Sequence, residues 1–124
     1  MKWRAVLGLI VGAFLIVNSF GHTILGWRAL GTQLARGGAP SNLIDGIHIG
    51  WQFGGVGMFT FGLIAVVIFL QRLRGALVST LPTMLIGVVY VAFGAWAMYA
   101  SGNPFFLILV LPGSLLALAS TRAR

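Results

Sequence analysis

The chain has 124 residues, 59% of them hydrophobic and only 7% charged, with a mean hydropathy of +1.02. A soluble domain carries about a quarter charged residues, so a water-soluble globule is excluded. Eight basic residues against one acidic residue give a net charge of +7, but the cations are scattered between long apolar runs. Without a solvated basic face, nucleic acid is excluded as a partner. The absence of cysteine removes disulfides, thiolate metal sites and Cys nucleophiles.

A helix crosses the roughly 30 Å hydrocarbon core with about 20 apolar residues. Four segments qualify, at about 5–27, 45–71, 83–101 and 104–120, the last being the shortest. Lys2 and Arg4 ahead of an apolar run, with Ser19-Phe20-Gly21 beyond it, imitate a cleavable signal. The apolar character continues to Trp27, so this segment reads as an uncleaved first helix. Residues 28–40 form the outer loop, in which Leu30 and Leu34 permit a helical turn or two before the Gly37-Gly38 break. Ser41 or Asn42 can cap the second helix, with Asp45 in its first turn. Gly75 ends that helix behind Arg72 and Arg74, and Gly102-Asn103-Pro104 makes a tight turn into the fourth. Pro112 removes a backbone donor within the fourth span and should kink it.

Translocating Lys and Arg is disfavoured. Four spans put Lys2, Arg4, Arg72, Arg74, Arg122 and Arg124 on one side, and only Arg28 and Arg36, partly offset by Asp45, on the other. The expected architecture is therefore an all-α integral membrane four-helix bundle with short loops and both termini cytoplasmic. The compact, loop-poor layout points to a bacterial inner membrane. Trp27, Trp51 and Tyr99 then fall at the outer interface and Trp3 at the inner one, and the basic rim faces anionic headgroups.

The 18 glycines are about twice an average share. Gly46, Gly50, Gly54 and Gly62 fall on one stripe of the second helix, and Gly8 and Gly12 share the spacing on the first. Small residues four apart let helix backbones approach closely within a membrane. The expectation is packing inside the chain, with a homodimer face along the second helix as the alternative.

Polar side chains mark where chemistry could lie. Asn18 and His22 share a face of the first helix, and Asp45, His48 and Gln52 share one of the second; Tyr99 reaches the same outer end. His22 and His48 could ligate haem, or, with Asp45, a divalent metal. A pocket by Trp27, Trp51 and Phe53 could take a quinone or lipid headgroup. Counting along straight helices puts the two His about 9 Å apart in level, against a shared haem. The plainer expectation is that these polar residues end helices and hydrogen-bond across the outer rim, with no cofactor and no metal. Asp45 is the only acidic residue in the chain, so no carboxylate side chain lies deep enough to couple a transporter to an ion gradient. No Gly-x-Ser-x-Gly elbow, His-Glu-x-x-His helix or phosphate loop is present. The pattern points to a non-catalytic structural, regulatory or binding module, with lipid and a second copy or larger membrane protein as partners. A redox or ligand-binding protein using His22 and His48 is the alternative, and a small transporter the next.

Overall fold

The computed structural model describes residues 2–121, and every regular element among them is helical. Helix α1 spans Lys2–Arg36, α2 Ser41–Leu73, α3 Leu81–Ser101 and α4 Pro104–Ser120. The first three are long and apolar enough to cross a membrane. Helix α4, a 3-residue 3-10 turn followed by 14 residues of α-helix, measures about 27 Å and is the short one, as its sequence foretold. It stays helical through Pro112, which is buried. Arg122 and Arg124, two members of the expected basic rim, lie outside the described residues.

The boundaries differ from expectation in two places. Helix α1 does not stop near Trp27 but runs on to Arg36, ending only where Gly38 adopts φ +72°. Residues 27–36 contain no proline and only the isolated Gly31, which a helix tolerates, and Leu30 and Leu34 keep a half-buried side through that stretch. At the start of α2 neither Ser41 nor Asn42 caps. Pro40 occupies the position before the first turn with an extended backbone, and its carbonyl accepts from Leu43 N and Ile44 N, both at 3.1 Å. The other stops follow the sequence: Gly75 and Gly102 take φ +86° and +65°, and Asn103 Oδ1 accepts from Phe105 N at 2.9 Å.

Helices α1 and α2 pack antiparallel along a seam of small residues. Gly8 lies against the Phe69 ring, and a Cβ at Gly12 would stand 3.0 Å from Val66 N. At Gly62 it would stand 2.8 Å from Gly12 O, so the two backbones meet with no room for a methyl group. Helices α3 and α4 repeat the device. A Cβ at Gly87 would stand 2.7 Å from Gly113 O and 2.8 Å from Ala117 N, and one at Gly94 2.8 Å from Val110 Cγ2. The two pairs join chiefly through α1 and α4, whereas α2 and α3 touch sparsely. Their shared core includes Leu15, Phe69, Leu116 and Ala119.

Hydrogen bonds tie one end together. Arg4 Nη1 donates to Thr121 O at 2.9 Å, Thr80 Oγ1 to Ser120 O at 2.7 Å, and Ser120 Oγ to Thr83 Oγ1 at 2.8 Å. From that end, α3 with its 21 residues reaches about 32 Å, whereas α1 and α2, with 35 and 33, reach about 50 Å. The first pair therefore projects beyond the second by roughly 18 Å. The His residues sit where the projecting part begins.

Candidate functional site

In an α-helix five residues turn through about 500°, so side chains at His22 and Trp27 would stand about 140° apart. Between Gly21 and Gly26, however, α1 winds as a π-helix. Closing i to i+5 puts residues five apart on one side, which turns His22 and Trp27 together toward α2. On α2, His48 and Trp51 are three apart and share a face by ordinary α-helical spacing. Because the helices are antiparallel, each His meets the other helix's Trp.

The contacts are reciprocal. The His22 ring stacks on the Trp51 indole with centroids 4.2 Å apart and planes 7° apart, and Trp27 stacks on His48 at 4.0 Å and 8°. Trp51 Nε1 donates to His22 O at 2.7 Å, and His22 Nε2 lies 3.2 Å from Trp51 O. Since a carbonyl only accepts, His22 carries its proton on Nε2. On the other side Gln52 Nε2 donates to His48 Nε2 at 2.9 Å, which makes that nitrogen an acceptor and puts the His48 proton on Nδ1. The same Gln52 amide reaches Thr23 O at 3.4 Å. The carbonyls of His22 and Thr23, in the first turn of the π segment, thus bind side-chain donors from α2.

Small residues make the approach possible. A Cβ at Gly26 would stand 2.9 Å from Trp51 Cζ2, and Gly55 lies directly against the Thr23 side chain. Below this clasp an apolar groove of about 300 Å³ is lined by Ser19, Phe20, Thr23, Gly55, Val56 and Phe59. Trp27, Trp51 and Phe53 do not line it, and Phe53 is 78% exposed.

His22, His48 and Gln52 come together. Asn18 is half-buried a turn below His22 and outside these hydrogen bonds, Asp45 is exposed, and Tyr99 on α3 is 91% exposed. Among the described residues no three His, Asp or Glu side chains gather as metal ligands. A haem iron or metal ion at either Nε2 would have to displace a hydrogen bond already made. Of the α2 glycines, Gly62 packs on α1 and a Cβ at Gly54 would stand 3.4 Å from His22 Nε2, while Gly46 and Gly50 face open space. Sequence reasoning did not find the direct His–Trp pairing. Gly26-Trp27 and Gly50-Trp51 form a visible echo, but their His residues precede Trp at different spacings, and only the π segment reconciles the two. No family model, curated protein or solved structure matches this chain.

Proposed function

We propose that this chain is a non-catalytic membrane module, a four-helix bundle of the bacterial inner membrane with both termini cytoplasmic. Its first helix pair carries a structural His–Trp clasp to the outer rim and holds the projecting tip for binding. The observation that carries this reading is the reciprocal cross-helix clasp. Each imidazole is covered on one face by an indole, and each Nε2 is hydrogen-bonded within the chain. Such a site holds two helices together and offers no free ligand atom at either Nε2. The open positions Gly46 and Gly50, beside the exposed Ile49 and Phe53, suit a second copy or a larger membrane protein as the other half of the assembly.

The test is an absorption spectrum, oxidised and reduced, of the protein purified in mild detergent, together with thermal unfolding of the His22→Ala/His48→Ala double variant. The expected result is no band beyond the protein envelope and a loss of about 1–3 kcal/mol of stability. A Soret band that disappears in the double variant would overturn the proposal.

A second reading, a redox or ligand-binding protein using His22 and His48 for haem, metal or quinone, draws support from the π-helix. Such segments are rare and occur often at functional sites. The same spectrum separates the haem form of it from the clasp, and quinone extracted with the protein would mark the quinone form.

A further inference from the structure

The end opposite the clasp holds the larger cavity, about 650 Å³, where α2 ends, the 74–80 loop turns, α3 begins and α4 ends. Its polar lining is Arg72, Ser79, Thr80, Ser120 and Thr121, and its apolar wall includes Leu77, Leu81 and Met84. Most of the hydroxyl protons are committed. Thr80 donates to Ser120 O, Ser120 shares its single hydroxyl proton between Thr83 Oγ1 and Leu116 O, and Thr121 donates to Leu118 O. Ser79 Oγ accepts from Leu81 N at 3.2 Å and keeps its own proton. Arg72 Nη1 is buried without a hydrogen-bond partner among the described residues, as is Nε of Arg4, whose Nη1 reaches the lining residue Thr121.

Arg72 as a whole is half-buried, but a guanidinium nitrogen shut away without an acceptor is costly, and an anion placed beside it would offset that cost. The sequence has no side-chain carboxylate to supply one here. Its single acid, Asp45, sits on α2 about 40 Å from Arg72 along the helix. Among the described residues no anionic group meets Arg72 Nη1, and an anion from outside the chain would satisfy it. The site offers it cationic donors and a hydroxyl on one side and an apolar wall on the other, where Leu77 is fully exposed. We infer that this cavity binds the phosphate of an anionic phospholipid, with Arg72 as its principal donor, Ser79 assisting, and Leu77, Leu81 and Met84 receiving the start of an acyl chain. The lipid would fill the crevice between α2 and α3, which touch only sparsely. The inference is independent of the clasp at the other end.

Phosphatidylglycerol binding to the purified full-length chain in non-ionic detergent tests it, read by native mass spectrometry. Phosphatidylcholine and inorganic phosphate serve as competitors. Arg72→Gln is expected to weaken phosphatidylglycerol binding by about tenfold, the loss of one charge-assisted hydrogen bond. Arg74→Gln, at an exposed cation beside the cavity, should change it by less than about twofold, the signature of general rim charge only. Neither competitor should displace the lipid. Equal losses in the two Arg variants would overturn the proposal, because rim charge alone would then explain binding. Displacement by inorganic phosphate would overturn the lipid as the source of the anion. Should Arg72→Gln fail to fold, Ser79→Ala leaves every charge in place and should weaken binding about threefold. Undiminished binding in that variant would equally overturn the assignment.

Discussion

Two glycines of one apparent stripe, Gly50 and Gly62, have opposite surroundings and should answer the same substitution with opposite signs. Gly62 sits 2.8–2.9 Å, measured from an added Cβ, from Gly12 O and Ile16 N. These are backbone atoms, so Gly62→Ala must push α1 and α2 apart. The expected cost is about 1–3 kcal/mol in thermal unfolding in detergent. Gly50 faces open space, and Gly50→Ala should leave stability unchanged or raise it by up to about 1 kcal/mol through helix propensity. If Gly50→Ala instead destabilises the protein as much as Gly62→Ala, that open face is covered in solution by a second copy or another protein. Spacing by itself put both residues in one class. What separates them is the position of α1, which no pattern within α2 encodes.

At the scale of the element, the π segment is the feature on which the clasp depends. A π turn behaves as one residue more than the α-helix needs, accommodated without rotating the remainder of the helix. Deleting Leu25, an exposed residue inside the segment, should let α1 close as an α-helix with His22 and the Trp now four apart and still on one face. The near-ultraviolet circular dichroism of the stacked indoles should survive. Deleting Val17, equally exposed but in regular α-helix, offers no such relief. It turns everything above it by about 100° relative to the seam below, and the indole signal should be lost. Survival of the signal in both deletions would mean that the clasp does not depend on helix register. The sequence carried part of this: spacing put His48 and Gln52 on one face, and of the other residues expected at that rim (Asn18, His22, Asp45 and Tyr99) the structure brings only His22 into the clasp. The Trp partners were not legible, because the spacing of five between His22 and Trp27 reads as two different faces under the α-helical period.

For the whole molecule, the decisive quantity is the difference in helix length. Two helices of about 50 Å beside one of about 32 Å give a hairpin whose tip, from the clasp to the Gly37-Gly38 turn, stands clear of α3 and α4. The absence of cysteine makes the topology directly measurable. Ala35 in the tip and Ala76 in the opposite loop are both exposed. Ala35→Cys should react with a membrane-impermeant maleimide in intact cells, and Ala76→Cys only after lysis. The reverse pattern would invert the proposed orientation, and the basic residues would then lie on the side that the positive-inside tendency disfavours.

Composition and hydropathy by themselves determined that this chain forms helices long and apolar enough to cross a membrane. They also placed its helices and most of its stops, because the cost of unpaired backbone in lipid leaves helices as the outcome for long apolar runs, and glycine alone takes positive φ easily. The His48–Gln52 contact was legible too, since two polar side chains four apart in an apolar helix stand out. Only the tertiary structure decided which glycines form seams, that α1 continues to Arg36, that His and Trp pair crosswise, and that Arg72 borders a cavity with no acid among the described residues to meet it. Each of these depends on where a second helix lies. That position is set by backbone contacts between segments distant in sequence, and the local periodicity of one helix does not contain it.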